Sequence, residues 1–377
     1  MRTLKTAVVG CGGISDIYLS NMIRRFSVLE VEYCCSRDGK SAERKAEKYG
    51  IKAAAFQEIL ENPQIDLIIN LTPPAVHYDI IKQSLLSGKH VYTEKVIVSE
   101  YEKAKELQEL AKEKKLRIGA APDTFLGAGI QTARSAVDKG LIGQVTSCHA
   151  SVNRDMGMLY RPGSFVVEPG GGMGFDMGIY YLTALLSILG PVKQTAGIVQ
   201  TNRPERIVTD IASPNLGETF KIENENLMTG LLVFENGTVG TLNVNGDSVF
   251  PEVPYTVLYG TEGILTIPNA NEFGGVVTLQ KKGAEEPIVL PVSHGFSDNS
   301  RGAGAAELAW SILKNRPHRA SVEMACHAVE ILEGIEKSWK DRCFKNITSG
   351  FQRPRALTEG YPSSCSDMQS EESVLAL

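Results

Sequence analysis

From residue 5 to about residue 121 the chain alternates short apolar runs with amphipathic segments. Thr6 to Gly10, Val28 to Cys35, Ala53 to Phe56, Asp66 to Leu71, His90 to Thr93 and Leu116 to Ala120 have the composition of strands. Between them Ser41 to Tyr49, Val76 to Leu86 and Glu100 to Lys115 carry Lys and Glu on their outward stripes, as solvated helices do. This alternation predicts a doubly wound parallel sheet covered on both faces. It stops at Ala121-Pro122-Asp123-Thr124-Phe125, and a helix from about Leu126 to Lys139 leads through Gly140-Leu141-Ile142-Gly143 into a different pattern. Val145 to Val152, Gln194 to Thr201, Glu218 to Ile222, Met228 to Phe234, Val239 to Asn245, Tyr255 to Tyr259, Ile264 to Ile267 and Val276 to Gln280 are strand-like runs separated by short turns. Asn236-Gly237 is a tight-hairpin signal, and Leu242 and Val244 alternate with Thr241, Asn243 and Asn245. Two helices follow, one after Arg301-Gly302-Ala303-Gly304 and one from Val322 to Trp339. The reading is therefore an α/β unit over 1–122 and an α+β unit over 123–349 built on a large, mainly antiparallel open sheet. A Pro- and Ser-rich stretch, 350–377, is expected to be a flexible tail or an arm. A broad sheet with one semi-polar face is commonly covered by another copy, which predicts a homo-oligomer, a dimer or tetramer.

A chain of 377 residues is long enough for two cores. Its 39 basic and 44 acidic residues leave a net charge of -5, so no basic field points to nucleic acid or to an anionic membrane. The first residues run almost directly into an apolar strand without a signal-peptide core, and no apolar run reaches membrane-spanning length. The 7 cysteines form no Cys-x-x-Cys pair, which suits reduced thiols and a cytoplasmic home. No metal-ligand spacing and no internal repeat is present.

Candidate chemistry gathers at strand ends. Gly10-Cys11-Gly12-Gly13-Ile14 follows a strand and opens a helix, the setting of a dinucleotide-binding turn, with Ser15 where the pattern has its third glycine. At the end of the second strand Ser36 is neutral and Arg37 can pair with a 2′-phosphate, a slight lean to NADP(H). Asp38, one residue on, could instead turn back to a ribose, with Arg37 stacked on the adenine or in solvent. The fourth strand runs into Thr72-Pro73, with His77 opening the next helix as a packing or cofactor-edge residue. The fifth ends in Glu94-Lys95-Val96, an acid and a lysine where charge is expected beside a nicotinamide. In Glu168 to Gly190 a glycine run, Gly170-Gly171-Gly172, enters a helix from about Phe175. Its apolar stripe is Ile179, Leu182, Leu186 and Leu189, and its opposite stripe sets Asp176 four residues from Tyr180. A helix cap with a surface tyrosine is the plainer reading of that pair. His327 on the last helix reads as a packed or surface histidine, with a substrate contact as the alternative.

Taken together, Gly10-Cys-Gly-Gly-Ile14, Thr72-Pro73 with His77, Glu94-Lys95, Gly140-Leu-Ile-Gly143 and Gly170-Gly-Gly to Asp176-Met-Gly-Ile-Tyr180 resemble the glucose-fructose oxidoreductase / inositol dehydrogenase (Gfo/Idh/MocA) family over nearly the whole chain. The resemblance implies a Rossmann domain for NAD(P) and hydride transfer at a secondary alcohol of a sugar, glycoside or polyol. It implies that Lys95, from a Glu-Lys-Pro motif, lies beside the nicotinamide; here Val96 replaces the proline. The Asp-x-Gly-x-His motif maps onto Asp176, with Tyr180 in the histidine position. Tyr180 is then the proton exchanger, Lys95 lowers its pKa and orients the hydroxyl, and Asp176 holds a substrate hydroxyl or the lysine. Gly10, Gly12, Gly13, Ile14, Ser36, Arg37, Thr72, Pro73, His77 and Glu94 are expected at the cofactor. Asp123 is expected at the substrate, because the segment from Ala121 to Leu126 departs from the family's commoner Tyr-x-x-Arg-Phe type. Two other classes stay open: a redox-cycling glycoside oxidase with tightly held NAD(H), and a nucleotide-binding sensor without turnover.

Overall fold

The computed structural model describes residues 2–161, 164–168, 171–248 and 255–360. In chain order the first unit is β1 (Leu4–Val9), α1 (Ser15–Arg25), β2 (Leu29–Cys35), α2 (Lys40–Tyr49), β3 (Lys52–Ala53), α3 (Phe56–Glu61), β4 (Leu67–Asn70), α4 (His77–Leu86), β5 (His90–Thr93), α5 (Tyr101–Glu113) and β6 (Ile118–Ala120). The strands form a parallel six-stranded sheet in the order β3-β2-β1-β4-β5-β6. All four residues of β4 are buried, as expected for a strand covered on both faces. The connection reverses direction between β1 and β4, so a crevice opens at their carboxyl ends, where folds of this type take their ligand.

The second unit follows as α6 (Ala128–Asp138), β7 (Val145–Asn153), α7 (Met156–Leu159), α8 (Ile179–Leu189), β8 (Val192–Gln200), β9 (Glu205–Ile207), β10 (Thr219–Lys221), β11 (Leu227–Phe234), β12 (Val239–Asn245), β13 (Tyr255–Gly260), β14 (Gly263–Ile267), β15 (Thr278–Lys281), β16 (Ile288–Val289), α9 (Ala303–Leu313), α10 (Val322–Asp341) and β17 (Lys345–Asn346). Nine strands pair in the order β16-β15-β14-β13-β7-β12-β11-β8-β17, parallel at β7–β12 and antiparallel elsewhere. The chain crosses back at its end: α9 packs against β5 and β6, and Ala120 N–H donates to the Ala320 carbonyl at 3.0 Å. Among the described residues no helix is long and apolar enough to cross a membrane.

Three expectations need correction. The run Glu218 to Ile222 is not part of the large sheet, because its strand β10 pairs with β9 in a separate two-stranded ribbon. The helix after the glycine run does not bury one stripe. Every residue of α8 is buried, with α6, α10 and β7 packed around it, and its entry is a π-turn, Gly174–Gly178. Residues 350–360 are not free of the body. Leu357 is buried, its N–H donates to Gln131 Oε1 at 2.7 Å, and its carbonyl accepts from His294 Nε2 at 2.9 Å. Arg319 holds the carbonyl of Arg355, and Gly360 N–H reaches the Ser293 carbonyl. The strap thereby supplies hydrogen-bond partners to the buried Gln131 and His294 side chains. Residues 361–377, and Gly170, lie outside the described residues.

Candidate active site

The turn after β1 is shaped by backbone contact. Gly10 has φ 103°, and a Cβ there would lie 2.7 Å from the carbonyl of Leu71, so the turn closes directly on the end of β4. A Cβ on Gly12 or Gly13 would meet nothing within 4 Å. This open cradle before the N-terminus of α1, with Ile14 exposed beside it, fits a dinucleotide's pyrophosphate. Ser15 is buried and its hydroxyl donates to the Gly12 carbonyl at 2.6 Å, bracing the turn from behind. At the end of β2, Asp38 accepts from Ser36 Oγ at 2.8 Å and from Ser41 Oγ at 2.9 Å. These hydrogen bonds hold its carboxyl below the usual range and turn it into its own loop, away from the ribose path considered for it. Arg37 is exposed and makes no hydrogen bond or ion pair among the described residues.

Two side chains staple the strand ends together. Asn70, fully buried, accepts from Thr72 Oγ1 at 2.6 Å and donates to Thr93 Oγ1 at 3.1 Å, joining β4 to β5. His77 is also fully buried, with Nδ1 2.7 Å from the Val96 carbonyl and Nε2 2.7 Å from the Thr72 carbonyl. Burial keeps the ring neutral, so one nitrogen donates to its carbonyl while the other lies against the second, and His77 is enclosed by protein between the Thr72-Pro73 turn and the Lys95-Val96 turn. The Lys95–Val96 peptide is cis. Glu94 is likewise turned inward: Oε1 accepts from Tyr18 Oη at 2.7 Å and Oε2 from the Lys95 N–H at 3.0 Å. It braces the turn from below.

Lys95 then faces α8. Its Nζ lies 2.5 Å from Asp176 Oδ1 and 2.9 Å from the Asp176 carbonyl, and 5.4 Å from the centroid of the Tyr180 ring. Asp176 can point this way because it sits in the π-turn. The chain enters that turn past Gly172, φ 116°, where any Cβ would overlap the carboxyl of the buried Glu225. Burial, then the neighbouring Glu336, holds Glu225 well above the usual carboxyl range, as a neutral acid under the glycine run. Burial opposes the charge on Lys95, but Asp176, Tyr180 and Glu94 outweigh it, and its pKa is raised. Burial also raises Tyr180, against the opposing pull of Lys95 and Arg301. At neutral pH the site therefore holds an ammonium and an un-ionised phenol in contact.

The structure thus brings Lys95, Asp176 and Tyr180 together at the carboxyl end of β5, on the same edge of the sheet as the turn after β1 and separated from it by β4, and Tyr180 is buried, not the surface tyrosine of the plainer reading. Asp123 lies close by, within electrostatic reach of Arg301 and Glu94, but is turned into the protein. It is 1% exposed, and its Oδ2 caps α9 by accepting from Gly302 N–H at 3.1 Å and Gly304 N–H at 2.9 Å. Burial pushes its pKa up to about 6. His327 is packed: Nε2 accepts from Val192 N–H at 2.9 Å and Nδ1 meets Ser349 Oγ at 2.9 Å. The residue that sequence reasoning missed is Arg301, whose guanidinium reaches the Tyr180 hydroxyl. Its only sequence signal was its place just before a Gly-x-Gly helix start.

Residues 4–121 match the model of an oxidoreductase family with an NAD-binding Rossmann fold, and residues 130–266 match the Gfo/Idh/MocA C-terminal domain. The chain belongs to the Gfo/Idh/MocA oxidoreductase family. Among Gfo/Idh/MocA relatives, a D-xylose dehydrogenase from Paenarthrobacter nicotinovorans is 24% identical over 320 residues, 76% of this chain and 79% of that one. An uncharacterised oxidoreductase from Schizosaccharomyces pombe is 28% identical over 209 residues, 54% of this chain and 56% of that protein. The chain spans a little over half of that relative's length. A solved structure of levoglucosan dehydrogenase with NADH and levoglucosan superposes with a TM-score of 0.80 at 16% identity, covering 92% of this chain and 100% of that one. At that identity the likeness concerns the Gfo/Idh/MocA fold alone.

Proposed function

We propose that the protein is a cytoplasmic NAD(P)-dependent oxidoreductase that moves a hydride between nicotinamide and a secondary hydroxyl or keto group of a sugar, glycoside or polyol. The observation that carries this reading is the Lys95 ammonium, paired with Asp176 and set against Tyr180, at the carboxyl end of β5 and beside the crevice that the glycine cradle opens into. D-xylose dehydrogenase and levoglucosan dehydrogenase, related by sequence and by fold respectively, support the carbohydrate class. Gly12, Gly13 and Ile14 would hold the pyrophosphate, and Arg37 a 2′-phosphate. With Asp38 tied to Ser36 and Ser41, the adenosine edge favours NADP(H) over NAD(H). The outer face of the nine-stranded sheet carries Ile198, Leu231, Val239, Tyr255 and Tyr259 partly exposed, which supports a homo-oligomer formed through it.

When bound, the nicotinamide supplies the two-electron acceptor or donor. Tyr180, as a neutral phenol, gives its proton to a carbonyl oxygen that is becoming an alcohol. In the opposite direction its phenolate takes the hydroxyl proton as the carbinol C–H bond breaks and the C=O bond forms. Lys95 stabilises that phenolate and donates to the same substrate oxygen, and Asp176 fixes the ammonium in place. The test mixes the purified protein with NAD⁺ or NADP⁺ across free sugars, glycosides and inositols, following reduced nicotinamide by absorbance. It then measures single turnover in Tyr180→Phe and Lys95→Ala. Each substitution should slow hydride transfer by at least about a hundredfold. An undiminished rate removes that residue from the chemistry, and no reduction with any substrate removes the dehydrogenase reading.

A further inference from the structure

Two arginines stand beside α8, Arg301 at Tyr180 and Arg154 at Tyr181, and neither forms an ion pair among the described residues; the nearest opposite charge acting on Arg301 is that of Asp123. Arg301 is held by Asn299 Oδ1 at 2.9 Å and by Asn271 Oδ1 at 2.8 Å, and its guanidinium reaches the Tyr180 hydroxyl. Arg154, at the end of β7, donates to the Asn153 carbonyl at 3.0 Å and reaches the hydroxyl of Tyr181. The two are parts of one construction. Tyr181 Oη donates to Asn269 Oδ1 at 2.7 Å, and Asn269 Oδ1 accepts from Asn271 N–H at 3.0 Å, so a single turn links both guanidinium groups.

Every nearby carboxylate is otherwise engaged. Asp176 is paired with Lys95, and Asp123 caps α9. Glu272, on the same turn, is exposed and accepts from Asn269 Nδ2 at 3.1 Å. Asp155 and Asp247 share Arg206, and Asp298 pairs with Arg25. Among the described residues neither Arg154 nor Arg301 forms an ion pair, and both are only partly buried, so they can reach a bound molecule. Fixing a guanidinium with neutral amides leaves its charge whole, and planar guanidinium groups match a carboxylate with parallel N–H donors.

We propose that the substrate is an acidic carbohydrate, a uronic or aldonic acid whose carboxylate is held on the Arg154–Arg301 wall while a secondary hydroxyl of the same molecule meets Tyr180. This rests on the hydride-transfer reading for the position of the reacting hydroxyl, but the anion site stands on its own contacts. It also explains why the polar wall is built from Asn269, Asn271 and Asn299. These residues orient the guanidinium groups without neutralising them.

The test measures binding to the protein loaded with NADH or NADPH, by nicotinamide fluorescence, for glucuronate, galacturonate and gluconate. Glucuronamide, glucose, glucitol and glucose 6-phosphate serve as comparators. The carboxylates should bind about tenfold to a hundredfold more tightly than the matched amide. Arg301→Gln and Arg154→Gln should each erode that preference, and Arg301→Lys should keep part of it. Equal binding of acid and amide, a preference that survives in the double glutamine variant, or no binding by any probe overturns the proposal. Tighter binding of the phosphate also overturns it, in favour of a phosphorylated sugar. Acid binding without hydride transfer would retain the anion site and sink the dehydrogenase reading. Turnover of neutral sugars alone, with no acid preference, does the reverse.

Discussion

The two walls of the crevice are held by different means. The wall at the ends of β1, β4 and β5 is fixed by main-chain contact: Gly10 closes on Leu71, His77 bridges the Thr72 and Val96 carbonyls, and Asn70 joins the strand ends through Thr72 and Thr93. The wall at the start of α8 is fixed by charge, with Lys95 reaching across to Asp176 and Tyr180, and Arg301 reaching Tyr180 from the far side. A main-chain wall tolerates changes of charge and fails when a Cβ intrudes. The charged wall also rests on a glycine, Gly172, but it answers to changes of charge as well, and its function follows pH.

That contrast can be broken most strongly by a pair of substitutions with opposite signatures. Lys95→Ala should lower hydride transfer by about a thousandfold while the dinucleotide Kd moves by less than about threefold, because electrostatic groups act mainly in the transition state. Gly10→Ala should do the reverse. The intruding Cβ and the positive φ should cost about 2 kcal/mol of stability and weaken dinucleotide binding by more than about tenfold. Thermal melts and nicotinamide fluorescence read both, and matching signatures in the two variants would end the distinction between the walls. The pH profile should sharpen it. Burial raises the Tyr180 pKa, so the phenol is intact at neutral pH. Oxidation, which needs the phenolate, should climb as pH rises into the alkaline range, while reduction, which needs the phenol, should be level near neutrality and fall in alkali. An oxidation rate that is flat from pH 7 to 10 excludes Tyr180 as the group that titrates. The smallest effect is expected at the rim. Arg37→Gln should reduce preference for NADP(H) by about tenfold without altering hydride transfer from the bound cofactor, and an unchanged cofactor ratio removes Arg37 from that role.

The same contrast governs what could be read from the sequence. The turn after β1, the strand ends and the parallel, doubly wound character of the first sheet were legible, since a main-chain wall is written in local spacing: glycines after a strand, polar residues at its end. The charged wall was legible only where the motif spans a few residues, as at Glu94-Lys95 and Asp176 to Tyr180. Arg301 and Arg154 come from opposite ends of the second unit and meet Tyr180 and Tyr181 only through tertiary packing. Nothing local distinguishes them from surface arginines. Glu94 was expected at the cofactor from its strand end and Asp123 at the substrate from its departure from the family's segment, yet both turn inward, to a buried tyrosine and to the start of α9; His77 takes the packing role that was one of its two readings. The strap 350–360 looked like a free tail because its composition is polar and proline-rich, and its anchors, Gln131, His294 and Arg319, lie far away in the chain.

The π-turn Gly174–Gly178 has a further consequence, in the arithmetic of chain length. A π-turn takes about one residue more than an α-helical path between the same two ends. Removing one residue there would let the helix run on as ordinary α-helix into an unchanged α8, with no change to either sheet. The carboxylate now on Lys95 would be rotated by about 100° around the axis, toward the apolar residues that enclose that helix. A single-codon deletion could therefore yield a chain that folds, binds dinucleotide and performs no chemistry. Under the proposed hydride-transfer reading, one residue then separates a chain that turns over from one that only binds dinucleotide, and single turnover beside nicotinamide fluorescence in the deletion variant tests it.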